Sequence, residues 1–168
     1  FIRERGSSEE DRYSSGPRNA IKSTVVNYDW KNFQILAPAL QNLKKYYKPK
    51  KLILIGHSGG AYQGGTIHGK VPGLVDINIL ISCPCDWEIR KKLSNGKKWE
   101  TKSQLKELKK NSPSFNYKDI DLKSINILIV GKDDKNTAPG VSKYYYDLLK
   151  KKKLQVKLHI IDGGHGLR

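Results

Sequence analysis

Gly56-His57-Ser58-Gly59-Gly60 is the segment of this chain whose residue types and spacing bear most directly on chemistry. It follows the apolar run Leu52–Ile55 and matches G-x-S-x-G, a turn that reverses a strand into a helix with serine at its apex. Such a turn needs small residues, because side chains at the glycine positions would strike neighbouring backbone. It lifts the Ser58 hydroxyl above the strand end and aims the Gly59 N–H where an oxyanion would form. The plain alternative is a glycine-rich strand–helix turn that holds a phosphate or nothing. An activated serine also needs a base, and the base needs an acid to orient it. In this architecture the order is serine, acid, histidine, each just past a strand. Gly131-Lys132-Asp133-Asp134 follows the run Ile125–Val130, and Gly163-Gly164-His165-Gly166 follows the run Leu154–Ile161. Loops at one edge of a parallel sheet converge, so these types in this order predict cleavage of an ester or amide through an acyl-enzyme.

The elements that must position those residues are legible as apolar runs. Leu52–Ile55, Ile77–Ile81 and Ile125–Val130 are short and mostly do not alternate with polar residues, which suits strands buried on both faces of a parallel sheet. Leu154–Ile161 does alternate and reads as a strand nearer the sheet edge. Helical periodicity covers Tyr28–Tyr46, where Pro38 is expected to bend or divide the helix, and Val141–Lys151. The Gly-rich stretch Ser58–Lys70 stands where a crossover helix must lie. The fold class expected is α/β: a mostly parallel sheet with helices on both faces and right-handed crossovers, as a single domain over 1–168. Within it, 83–123 is a polar, Lys-rich, cap-like excursion with a helix around Ser103–Lys110. Residues 3–19 read as a loop.

At this point the chain resembles the α/β-hydrolase family, along essentially its whole length. It is most similar to bacterial serine hydrolases related to the prolyl-oligopeptidase and dienelactone-hydrolase branches, where G-x-S-G-G-A follows the elbow strand; here it is Gly56-His57-Ser58-Gly59-Gly60-Ala61. The resemblance implies Ser58 as nucleophile, His165 as base and an aspartate after Gly131 as acid. The family spacing of glycine, two residues, then acid selects Asp134, with Asp133 as the rival. Gly59 is the implied oxyanion donor, and Gly56, His57 and Gly60 complete the elbow. The family usually has eight strands, and the visible runs match the last four. Phe1–Ser8 resembles the end of the fourth strand and the arginine–glycine loop after it. The N-terminal strands, and the third-strand loop that usually gives a second oxyanion N–H, are expected upstream in a longer polypeptide. Loss of one such donor typically costs about 2.7–4 kcal/mol in the transition state. Arg3 and Arg5, with Arg12 and Arg18, are candidates for the substrate rim, where they would recognise a carboxylate; surface arginines in a loop are the equal alternative.

Composition narrows the remaining classes. A chain of 168 residues with 37% hydrophobic and 29% charged residues is not collagen-like, coiled-coil or fully disordered, and no apolar run reaches the roughly 18–20 residues of a membrane span. It contains no methionine and begins at Phe1, so a signal peptide is neither shown nor ruled out; the compartment stays open, with a slight lean to the cytoplasm. The net charge of +16 invites a nucleic-acid reading. Yet Lys44, Lys45, Lys48, Lys50 and Lys51, and again Lys150–Lys153, immediately precede strands, at the sheet edge opposite the triad. They suit helix C-termini and a solvated face, so no specific nucleic-acid partner is expected. Gly64-Gly65-Thr66-Ile67-His68-Gly69-Lys70 spells most of a P-loop, but Val71 stands where Ser or Thr must bind Mg²⁺ and no strand directly precedes it. Cys83-Pro84-Cys85 lacks further ligands for a metal and reads as two reduced thiols in a turn at the pocket. No metal or organic cofactor is expected, and the partner is a small ester or peptide substrate, with the oligomeric state open. The rivals are a noncatalytic hydrolase-like binding protein and a polyanion-binding protein.

Overall fold

The computed structural model describes Tyr28 and residues 30–93 and 102–168. Chain order runs α1 (Trp30–Tyr47), β1 (Ile53–His57), α2 (Gly59–Lys70), β2 (Ile77–Ile81), α3 (Trp87–Leu93), α4 (Lys102–Lys110), α5 (Pro113–Asn116), a 3₁₀ turn (Tyr117–Asp119), β3 (Ile125–Gly131), α6 (Pro139–Lys151) and β4 (Gln155–Ile161). Among the described residues the sheet is parallel throughout, in the order β1-β2-β3-β4. Parallel neighbours require crossovers, and α2, the α3–α5 excursion and α6 supply them. Every strand therefore ends at one edge, where Ser58, Ser82, Lys132 and Asp162 begin the loops. The alternating strand β4 lies at the sheet edge, as its pattern indicates.

Register explains which face is covered. Leu54, Asn78, Asn126 and Val156 align across the sheet, as do Gly56, Leu80, Leu128 and Leu158. Against this face α6 buries Tyr145 and Leu149 with Ala61, Leu80, Leu128 and Leu154. A second cluster joins Ala37 of α1 and Ile67 of α2 to Leu54, Leu74 and Val75. Among the described residues the second face is covered less completely than the first, most of all at β1. Side chains alternate along a strand, and the opposite face carries Ile53, Ile55, Ile77, Ile79, Ile81, Ile125, Ile127 and Ile129; Ile53 is 53% and Ile55 56% exposed. The described helices named here pack on one face, so an unbroken apolar run encodes two apolar faces without specifying what covers each. On β4 that face becomes Gln155, Lys157 and His159, which accounts for its alternation.

Three local features refine these expectations, and the last overturns one. The helix α1 continues as one element through Pro38; the hydrogen bond lost there is offset by the packing of Phe33, Leu36, Ala37 and Leu40. The P-loop-like glycines are inside α2, and they serve close packing: a Cβ at Gly65 would meet Pro113 Cγ at 2.7 Å, and one at Gly69 would collide with the Asn116 carbonyl. Cys83 and Cys85 form a disulfide rather than the two thiols expected. The turn through Pro84 leaves their Cα atoms 5.0 Å apart, within bridging range, and both are fully buried. The excursion is fastened to α2 by an aromatic cluster of Tyr28, Tyr62 and Trp87 with Leu108. Two hydrogen bonds reinforce it, Tyr62 Oη to Leu108 O at 2.7 Å and Thr66 Oγ1 to Asn111 O at 2.6 Å. Some lysines are structural as well: Lys44 Nζ donates to the carbonyls of Gly73 and Leu74, and Lys152 Nζ to those of Lys118 and Ile120.

Candidate active site

Strand β1 runs into the serine turn without breaking its ladder, since Ser58 N–H still donates to Ile81 O at 2.9 Å. Ser58 then adopts φ 51°, ψ −115°, a region L-residues avoid. Gly56 makes this possible, because a Cβ there would collide with the Gly60 carbonyl. Gly59 opens α2 one residue on, and the Tyr62 N–H returns to Ser58 O at 3.0 Å. The acid loop follows β3 in the same manner, with Lys132 N–H donating to Ile161 O at 2.8 Å. A Cβ at Gly131 would collide with the carbonyls of Gly163 and Gly164, so this glycine lets the third loop close over the second.

These loops bring Ser58, Asp134 and His165 together. His165 Nδ1 is 2.9 Å from Asp134 Oδ2 and 3.1 Å from Oδ1, and its Nε2 is 2.9 Å from Ser58 Oγ. With the ring proton on Nδ1, Nδ1–H donates to the carboxylate and the Ser58 hydroxyl donates to Nε2. The Asp134 side chain is fully buried. Burial alone would raise its pKa, but the hydrogen bond from His165, the Thr137 N–H, the charge of His165 and the Ser82 hydroxyl together hold it below the usual carboxylate value. The N–H groups of Asn136 and Thr137 donate to Oδ1 at 2.9 and 2.7 Å. Asp133, the rival, is exposed and engages through its backbone, N–H to Gly163 O at 3.1 Å. His57 turns back over the site: its Nε2 is 2.8 Å from His165 O, and the two rings are 5.0 Å apart. Gly60 is buried in the first turn of α2. Arg3 and Arg5 lie outside the described residues.

Sequence reasoning missed three residues here. Ser82, at the end of β2, donates from Oγ to His165 O at 3.1 Å. Asn136 Nδ2 is 3.2 Å from His165 Nε2. Arg90 of α3 fixes that amide, donating to Asn136 Oδ1 at 2.6 Å and Asn136 O at 3.2 Å while its guanidinium lies 4.6 Å from the Trp87 ring centroid. Position is the signal that would have found Ser82: it is a small polar residue at the one strand end between the serine and acid loops. Asn136 stands two residues past the acid. Nothing in the sequence marks Arg90. No group of three or more His, Cys, Asp or Glu arranged to hold a metal occurs among the described residues.

This geometry on a parallel sheet prompts comparison with known proteins. The model of the prolyl oligopeptidase family matches residues 5–168. The chain belongs to that family. No curated protein matches it. Solved structures of α/β-hydrolase fold do. Pyrococcus horikoshii acylaminoacyl peptidase is similar with a TM-score of 0.69 at 20% identity, over 80% of this chain and 23% of that one. A prolyl endopeptidase gives 0.71 at 17% identity, over 80% and 22%. Porphyromonas gingivalis dipeptidyl peptidase 4 gives 0.64 at 12%, over 81% and 20%. The chain thus spans less than a quarter of the length of these solved chains. At such identities the likeness carries the fold, and membership of the prolyl oligopeptidase family rests on the family model. Among the described residues no helix is long and apolar enough to cross a membrane.

Proposed function

We propose that this chain carries the catalytic centre of a serine hydrolase that cleaves acyl bonds, with peptides as the favoured substrate class. The observation that carries the reading is the unbroken line from Asp134 through His165 to Ser58, at 2.9 Å on each side of the imidazole. Ser58 Oγ attacks the substrate carbonyl while its proton passes to His165 Nε2. Asp134 fixes the Nδ1–H tautomer and stabilises the imidazolium that results. Gly59, the first residue of α2, is the candidate that meets the oxyanion with its N–H. The proton then moves from Nε2 to the leaving amine or alkoxide, which departs and leaves an acyl-Ser58 ester. A water, deprotonated by the same nitrogen, attacks that ester, and Ser58 is regenerated with its proton returned. Peptides rather than simple esters are favoured by membership of the prolyl oligopeptidase family and by neighbours named as peptidases.

A fluorophosphonate probe tests this. It should label the protein on Ser58, and Ser58→Ala should abolish labelling while leaving the circular dichroism spectrum and thermal midpoint essentially unchanged. Undiminished labelling of the alanine variant would remove Ser58 as nucleophile. Chromogenic amide and ester substrates with the same acyl group then separate peptidase from esterase by their kcat/KM ratio.

A further inference from the structure

We propose that Ser82 is a positioning residue of the triad, its hydroxyl tying the end of β2 to the main chain of His165. The proposal rests on the hydrolase reading above and extends it to a residue outside the triad. Ser82 follows β2, the strand between those that lead to Ser58 and Asp134, and its N–H continues the sheet by donating to Ile129 O at 2.8 Å. Its φ is 47°, left-handed backbone that glycine adopts freely and serine does not. The side chain is fully buried, so water does not satisfy its hydroxyl. Backbone geometry alone would thus be better served by glycine, and a serine there points to a use for its Oγ.

That use is visible in what the hydroxyl touches. Its one proton is directed at the His165 carbonyl, 3.1 Å away. The His165 carbonyl also faces His57 Nε2 at 2.8 Å. A carbonyl oxygen has two lone pairs, and here both have donors, one from the elbow and one from the end of β2. The base sits on a short loop near the end of the described chain, where Gly163 has φ 115°. Its ring is aimed by Asp134, but its backbone is fixed by these two side chains. Ser82 is therefore placed to register the imidazole between acid and nucleophile, and a misplacement of about 1 Å costs on the order of 10²-fold in rate.

Substitution by glycine separates this role from a structural one. In the full natural polypeptide, Ser82→Gly relieves the backbone and removes the hydroxyl. The expected result is a thermal midpoint within a few degrees of the parent and kcat lower by roughly 10–100-fold at unchanged KM. Ser82→Ala should show the same loss per folded molecule with a lower midpoint, since alanine keeps the unfavourable φ. Parent kcat in Ser82→Gly would overturn the proposal. A second readout does not depend on turnover: the downfield proton resonance of His165 Nδ1–H. It should shift or broaden in Ser82→Gly, and an unchanged resonance would also overturn the proposal. If the parent protein shows that resonance but neither turnover nor fluorophosphonate labelling, the hydrolase reading fails, and the resonance alone decides the role of Ser82.

Discussion

Asp133 and Asp134 are chemically identical neighbours in opposite environments. The Asp134 carboxylate is buried, accepts two backbone N–H bonds and faces His165 Nδ1 at 2.9 Å; that of Asp133 faces solvent. Asp134→Asn should lower kcat by as much as ~10⁴-fold, the loss seen when a triad acid no longer fixes the histidine tautomer, whereas Asp133→Asn should stay within about threefold, since an exposed carboxylate fixes no tautomer. Steady-state kinetics on one amide substrate decides it, and a larger effect at Asp133 would reverse the assignment. The three residues that the fold brings together, Ser58, Asp134 and His165, were legible as candidates because each stands just past an apolar run and carries a distinctive side chain. Ser82, Asn136 and Arg90 were passed over because serine, asparagine and arginine are ordinary in loops; position marks Ser82, and nothing marks Arg90. Their meaning comes from a hydrogen bond across the fold, such as Arg90 to Asn136, which sequence spacing does not encode.

At the scale of elements, loops must fit against one another as well as follow their strands. Gly131 is the contact point between the acid and histidine loops, and Gly131→Ala would drive a methyl group into two backbone carbonyls. Backbone yields little, so the change should cost about 1–3 kcal/mol, the usual range for overpacking, and should reduce activity further by parting Asp134 from His165. Urea unfolding alongside kcat separates the two effects; a variant with parent stability and activity would show that the loops have slack. The helix α2 carries a second liability. His68 is fully buried, its Nε2 3.0 Å from Ser124 Oγ and its Nδ1 without a partner. Burial lowers its pKa to about 4, against opposing contributions from Asn126, Asp121 and Asp76, and Lys152 lowers it further. The unfolded chain takes up the proton near the ordinary value of about 6.5 and the folded one near 4, so stability is lost as pH falls through that window. The loss should be about 2 kcal/mol between roughly pH 7 and pH 4.5. His68→Gln should shrink the difference in urea midpoint between those two pH values, and an unchanged difference would place the acid sensitivity elsewhere. The sequence offered the strands and helices of this layer, the crossover helix over Ser58–Lys70 included, but not the use of its glycines, because a glycine needed for close approach to α5 looks the same as one in a phosphate loop.

At the scale of the sheet as a whole, its two faces differ among the described residues. One is packed by α1, α2 and α6; the other presents a row of isoleucines from three strands, open at β1. Exposed apolar surface is expected to associate, whereas the +16 charge opposes association through self-repulsion. Salt screens the second effect and not the first. The described chain should therefore bind an apolar dye such as anilinonaphthalene sulfonate and sediment as larger species as salt is raised. Ile53→Thr with Ile55→Thr keeps β-branched residues in β1 and should reduce both dye binding and association. Because these side chains are more than half exposed, the same pair should shift the urea midpoint little. Leu80→Ala on the packed face removes a fully buried side chain and should cost about 2–5 kcal/mol. The contrast between the substitutions carries the test. A large loss of stability from the isoleucine pair, with dye binding unchanged, would mean that this face is covered in solution, and that the apolar runs had been right to imply burial on both sides.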